Sequence, residues 1–222
     1  MTDLRVRAAV LDTTRTGGGE DPFGAMPEWD LSDLYPSMKG PEVAADLARA
    51  QTLCRDFEAR AKGRLAAVVA SGDAAALGAL VKDYEAIQDL LGRIASFAGL
   101  VYSGDTTDPE RAKFYGDVQD GLTKATTSLL FFELELNRIE DAAIDALIAA
   151  DPTLTHYEPW LADIRKEKPH QLSDEIEQLF HEKYVTGAAA WTRLFDETIA
   201  SLRFRLGEEE LTLEPTLARL QD

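Results

Sequence analysis

Two apolar stripes constrain this chain more than anything else in it. Leu77, Leu80, Tyr84, Ile87, Leu91, Ile94, Ala98 and Val101 recur at alternating spacings of three and four, and Tyr115, Val118, Leu122, Ala125, Leu129, Phe132 and Leu136 repeat the pattern. Such spacing holds side chains on one face of an α-helix. Asp73 stands at the cap position of the first helix, and Asp108 followed by Pro109 opens the second, as orphan N–H groups and the fixed proline φ favour. The helices over 73–102 and 109–137 should each be about 40 Å long at 1.5 Å per residue. The connector from Ser103 to Asp108 is short, which makes the two helices antiparallel neighbours. This coiled-coil-like hairpin is expected to be a main buried core.

The rest of the chain reads as further helices and one hairpin. Val43, Leu47, Ala50, Cys54, Phe57 and Ala61 form an earlier stripe after Pro41. Cys54 falls on it and reads as a core thiol, because a nucleophilic cysteine needs a base and an exposed, electropositive setting. Ile144, Leu147 and Ile148 mark a short helix broken at Asp151-Pro152; Tyr157, Trp160, Leu161 and Ile164 mark another, ended by Lys168-Pro169. Ser173 before Asp174-Glu175 reads as an N-cap with acids at the positive end of the helix dipole, and Gly187 as its stop. Trp191, Leu194, Thr198 and Leu202, with Phe195 beside them, then predict an amphipathic helix. From Leu202 the period becomes two: Leu202, Phe204 and Leu206 alternate with arginines, Gly207 to Glu210 turn the chain, and Leu211 and Leu213 resume. Pro215 to Leu220 looks like the first turns of a helix cut short at Asp222.

The fold class is therefore mainly α: an antiparallel long-helix bundle with a helical hairpin and one short β-hairpin near the C-terminus. Residues 1–27 hold no sustained period and are broken by Gly17-Gly18-Gly19 and Asp21-Pro22, so they read as a flexible N-terminal arm. The three glycines lack the Gly-Lys-Ser/Thr that a phosphate loop requires. Residues 28–222 read as one helical lobe. At its start Trp29-Asp30-Leu31-Ser32-Asp33-Leu34-Tyr35-Pro36 should pack Trp29, Leu31, Leu34 and Tyr35 onto the helical body.

Charge and cysteine content narrow the function classes. Across 222 residues, 40 acidic and 23 basic side chains give a net charge of -17. Nucleic acid is a poor partner for such a chain, since phosphate binding needs clustered Lys and Arg. A single cysteine excludes an internal disulfide and suits a reducing compartment. Apolar runs are too short for a membrane span, and Ala8-Ala9-Val10-Leu11 is too short for a signal peptide. The expected location is the cytoplasm, with no nucleic acid and no membrane as partner.

Catalytic motifs are not found in these residues. A zinc peptidase of the His-Glu-x-x-His type needs two histidines one helical turn apart with a glutamate as general base. His181-Glu182 begins that way, but Val185 stands where the second histidine belongs, and His156 and His170 are too distant to pair. His181 reads as a solvent-facing helix residue. Glu167-Lys168-Pro169-His170 matches the Glu-x-x-His of di-iron bundles but is broken by Pro169 and has no second copy. No Gly-x-Ser-x-Gly elbow is present. No catalytic and no metal-ligating residue is expected in this chain, which should bind no zinc and cleave no peptide alone; substrate-binding residues are not specified by the sequence.

Two runs resemble a known family. The stretches Trp29 to Pro36 and Pro169 to Leu206 (PHQLSDEIEQLFHEKYVTGAAAWTRLFDETIASLRFRL) resemble the N-terminal region of oligoendopeptidase F, a group of thimet-type zinc metallopeptidases. The resemblance extends from Trp29 to Asp222. It implies a mostly helical cytoplasmic enzyme that hydrolyses internal bonds of short peptides. In such enzymes the zinc motif lies in a catalytic part beyond the matched region, and the N-terminal region forms one wall of a deep channel over the metal. The expected cofactor is thus zinc in a longer parent, with ligands outside this chain, and the expected partners are a peptide substrate and the parent's own C-terminal catalytic domain. The competing expectation is a free-standing acidic helical module that binds a partner and catalyses nothing. An open reading frame that continues into His-Glu-x-x-His favours the first; a stop codon near Asp222 favours the second.

Overall fold

The computed structural model describes residues 29–220, so the arm expected over 1–27 lies outside the described residues. In chain order the helices are α1 (Pro41–Ala61), α2 (Leu65–Ala70), α3 (Ala74–Gly104), α4 (Pro109–Thr126), α5 (Leu130–Arg138), α6 (Asp141–Ala150), α7 (Pro152–His156), α8 (Glu158–Arg165), α9 (Asp174–Tyr184), α10 (Ala188–Ser201) and α11 (Leu213–Arg219). Strands β1 (Phe204–Leu206) and β2 (Glu209–Leu211) form the one sheet among the described residues. The chain is mainly α, with its β-hairpin near the C-terminus, as its periodicity predicts.

Helices α1, α3 and α4 pack on one another as the central bundle. Asp73 caps α3 by accepting the Ala76 N–H at 2.9 Å, and Asp108 caps α4 by accepting the Glu110 N–H at 2.8 Å. The α1 stripe buries Val43, Ala50, Cys54, Phe57 and Ala61, and the α3 stripe buries Leu77, Tyr84, Ile87, Leu91, Ile94 and Ala98. Leu47, Leu80 and Val101 are only half-buried, whereas Val81, Phe97 and Tyr102, beside the seam, are buried. Aromatic rings knit the bundle: Phe57 meets Phe132 edge-on at 5.1 Å, and Tyr84 lies against Phe132 at 4.8 Å. Such pairs contribute about 0.5–1.5 kcal/mol beyond the area they bury.

The helix expected over 109–137 is not continuous. It ends at Thr126, passes through a 3₁₀ turn over Thr127–Leu129 and resumes as α5. The cause is local. Thr126 Oγ1 donates to the Leu122 carbonyl at 2.9 Å and Thr127 Oγ1 to the Thr123 carbonyl at 2.8 Å. Hydroxyls that bond back onto the preceding turn bend helices, and β-branched residues are weak helix formers. The apolar stripe crosses the break undisturbed, with Ala125, Leu129, Phe132 and Leu136 all buried, because one tight turn changes the helical phase little.

Before α1, the Leu34 and Tyr35 N–H groups both donate to the Leu31 carbonyl, at 2.9 and 3.1 Å. That turn drives Tyr35 into the core, edge-on to Phe97 at 5.2 Å, with its hydroxyl donating to Asp46 at 2.9 Å. Arg93 crosses the Tyr35 ring at 4.6 Å and donates from Nε to the Leu34 carbonyl at 3.0 Å. Leu31 and Leu34 pack on the core, but Trp29 is 85% exposed, contrary to expectation. It precedes the turn that carries the other three inward.

From α5 to α8 the chain wraps the far end of the bundle, burying Ile144, Leu147, Leu154 and Leu161. Asp151 caps the five-residue α7 through the Thr153 and Leu154 N–H groups. Arg165 ties α8 to the end of α5: it donates to the Leu136 carbonyl at 3.1 Å and the Ile139 carbonyl at 2.7 Å, and pairs with Asp141. That guanidinium holds the Asp141 carboxyl below its ordinary range.

Candidate functional site

Beyond Leu161 no described residue is buried. Ser173 does stand at the N-cap of α9, but its side chain makes no cap bond; its carbonyl accepts the Ile176 and Glu177 N–H groups instead, and Glu177 reaches back to accept the Leu172 N–H at 2.8 Å. The last helical residue is Tyr184, and Gly187 serves both ends of the joint: its N–H donates back to the Lys183 carbonyl of α9 at 2.7 Å, and it stands at the N-cap of α10. A Cβ on Gly187 would meet the Lys183 carbonyl oxygen at 2.9 Å, so the α9–α10 joint needs glycine at that close approach. In the hairpin, Phe204 pairs with Leu211 and Leu206 with Glu209. Gly207 takes a φ of 63° and Glu208 a negative one, the pattern of a two-residue turn with glycine first. Leu213 does not continue β2; it starts α11, two residues before Pro215.

Both amphipathic stripes of this region face outward. Leu179, Phe180 and Tyr184 of α9 are exposed, and Trp191, Leu194 and Phe195 of α10 are 70%, 52% and 64% exposed. Leu217 and Leu220 are exposed as well. Large apolar groups at helical spacing, uncovered together, mark an interface more than a solvated face.

The histidines are far apart in role and place. His181 is half-buried, with Nε2 2.9 Å from Thr126 Oγ1, so it is not the solvent-facing residue expected; the packing of α9 beside α4 brings it onto the 3₁₀ break. Glu182 accepts from Gln178 at 2.7 Å on α9 itself. Val185 follows the last residue of α9. His156 and His170 are exposed. Among the described residues no three His, Cys, Asp or Glu side chains gather closely enough to hold a metal ion. The described residues therefore do not fit a zinc site. Cys54 is buried in the α1 seam and burial pushes its thiol up to about 11, the opposite of nucleophile activation.

One cleft joins the open region to the bundle. It encloses about 220 Å³ between the α3–α4 hairpin and α10, and its lining includes Tyr102, Tyr115, Gln119, Tyr184, Arg193 and Asp196. Tyr102 and Tyr115 stack at 4.9 Å with rings 2° from parallel. Gln119 donates to the Tyr115 hydroxyl at 2.5 Å, but the Tyr102 hydroxyl is buried with no hydrogen-bond partner among the described residues. Burial first, then the charges of Asp196 and Glu197, raise the Tyr102 pKa. The sequence pattern points to Val101 rather than Tyr102 at this place on α3. The convergence of Tyr102, Arg193 and Asp196 depends on long-range packing and has no local signal.

Residues 135–204 match the N-terminal family model described as oligopeptidase F; the run at 29–36 lies outside that match. Among solved structures, one from Chlamydophila abortus described as a peptidase is 19% identical over 86% of this chain and 32% of its own, with a TM-score of 0.46. The oligoendopeptidase-F of Enterococcus faecium is 17% identical over 79% of this chain and 32% of its own, with a TM-score of 0.49. The chain thus spans about a third of the length of these proteins, and similarity at this level says nothing of activity. No curated protein matches it. From the end of α5 to the first residue of β1, the chain is similar to the N-terminal region of oligopeptidase F, the family that its sequence resembles.

Proposed function

We propose that this chain is the N-terminal lobe of a zinc-dependent oligoendopeptidase that hydrolyses internal bonds of short peptides, working in the cytoplasm. The lobe forms one wall of the substrate channel, and the parent's own catalytic domain, which supplies the zinc ligands, covers its open face. The observation that carries this reading is the pair of uncovered stripes on α9 and α10, which fall inside the family match at 135–204. An N-terminal lobe seated on a catalytic domain needs such a face, and the family match within it is what favours that partner over an unrelated one. No described helix is long and apolar enough to cross a membrane. Against a channel wall made of one stiff hairpin stands the 3₁₀ break at Thr127–Leu129, so stiffness in that wall comes from α3, whose 31 residues run unbroken.

Co-expressing residues 1–222 with the remainder of the parent as two chains tests the reading. The expected result is association and recovery of chelator-sensitive cleavage of short peptides but not of a folded protein. If the remainder alone cleaves with unchanged efficiency and size limit, the lobe is not part of the channel. The second reading, a free-standing interaction module, is favoured by the net charge of -17 and the absence of a catalytic motif; it gains the field if the reading frame stops near Asp222.

A further inference from the structure

Two groups on the cleft between the α3–α4 hairpin and α10 have no hydrogen-bond or ion-pair partner among the described residues. Tyr102 is 5% exposed, and its hydroxyl neither donates nor accepts a hydrogen bond among the described residues. Arg193 is half-buried, with Nη1 within 3.6 Å of where a Cβ on Gly116 would stand. It makes no hydrogen bond and no ion pair with a described residue, although acids outnumber bases in this chain. Leaving a buried donor unsatisfied is costly, and buried polar groups are almost always paired. Beside these two donors Asp196 offers an acceptor. Two donors and one carboxylate acceptor lining one cleft match the carbonyl and the N–H of a peptide unit. An anion fits badly: Asp196 and Glu197 act on the Tyr102 hydroxyl more strongly than Arg193 does, so the local field opposes a second negative charge. The volume, about 220 Å³, is below that of a whole drug-sized site and suits one peptide unit with a small side chain.

We propose that this cleft is a binding subsite for a neutral peptide unit, with Tyr102 and Arg193 donating to a backbone carbonyl and Asp196 accepting the adjacent N–H. That the ligand is a peptide rather than another secondary amide rests on the peptidase reading; the donor–acceptor pattern does not. Bound there, a stretch of substrate is gripped by the lobe itself, through its backbone and without regard to side-chain identity.

The isotope-labelled 222-residue chain, titrated with the end-blocked tripeptide acetyl-Ala-Ala-Ala-amide and separately with sodium acetate, provides the test by NMR. The blocked peptide should shift the Arg193 Nε–H and the Gly99 and Gly116 amides saturably, and acetate should not. Tyr102→Phe, which removes only an unpartnered hydroxyl, and Arg193→Gln, at a half-buried surface position, should each weaken binding about fivefold. Methylating the peptide nitrogens should weaken it similarly. Absence of saturable shifts at these residues, binding by either variant as tight as by the unsubstituted chain, or acetate binding as well as the peptide overturns the proposal. Peptide binding here with no cleavage by the co-expressed parent pieces would instead leave the subsite standing and sink the peptidase reading.

Discussion

Ile87 is 4% exposed midway along α3, while Asp83, one turn earlier, pairs with Arg60 at 2.6 Å on the surface. Ile87→Asp should cost about 3–5 kcal/mol, from lost packing and a buried unpaired charge. Asp83→Asn should cost no more than about 0.5 kcal/mol, the worth of an exposed ion pair. Denaturant midpoints of the two variants check this, and equal shifts would refute the registration of the stripe. A second residue-scale expectation concerns alkaline pH. Burial raises the Cys54 thiol from 9.0 to about 11, and burial with the Asp46 bond raises the Tyr35 hydroxyl from 10.0 to about 12. Both groups are neutral when protonated, and both ionise earlier in the unfolded chain. Their contribution is therefore intact below pH 9 and lost as pH climbs through about 11 to 12. Urea midpoints at pH 8, 9, 10 and 11 should fall progressively, and less steeply for Cys54→Ala; identical slopes for the variant and the parent chain would contradict the assignment. The burial of Cys54 and Ile87 is legible in the sequence because each stands at the centre of a long periodic run. Tyr102 is not, because near the end of α3 the packing selects the neighbour of the stripe position.

Helix starts offer a comparison within one molecule. Asp73 and Ser173 occupy the same cap position of α3 and α9, yet only Asp73 engages an N–H with its side chain. Asp73→Ala should cost about 1 kcal/mol, and Ser173→Ala close to nothing; thermal melts of the two distinguish them. At the α9–α10 joint Gly187→Ala places a methyl group 2.9 Å from a backbone oxygen. That clash with main chain should cost about 1–3 kcal/mol and displace α10, visible as chemical-shift changes around Trp191. The long helices and the hairpin turn are legible from spacing, caps and Gly207. The short helices α2 and α7, of six and five residues, hold too few turns to display a period. The break between α4 and α5 is invisible to the same reasoning, since the apolar stripe runs through it; only the consecutive Thr126 and Thr127 hint at it.

On the scale of the whole molecule, the described core begins at Tyr35 and ends at Leu161, and the family match at 135–204 straddles its edge. Trp191→Glu with Phe195→Glu should leave the melting temperature of the chain unchanged within about 0.5 kcal/mol of stability, as exposed substitutions do. On the lobe reading proposed above, the same pair should abolish association with a catalytic domain. Loss of folding in the doubly substituted chain, or undiminished association, would show that the stripe is not the docking face. The uneven distribution of burial also sets the order in which the molecule comes apart. Amide hydrogens of α1, α3 and the buried side of α4 should exchange with deuterium only when the whole bundle opens, whereas those of α9, α10 and α11 have little apolar packing to lose and should exchange through small local openings. Two classes of protection, divided near Leu161, are therefore expected in the isolated chain. If this chain is the proposed lobe, a catalytic domain bound to its open face should slow the second class toward the first, so exchange rates in α10 would report directly on that docking.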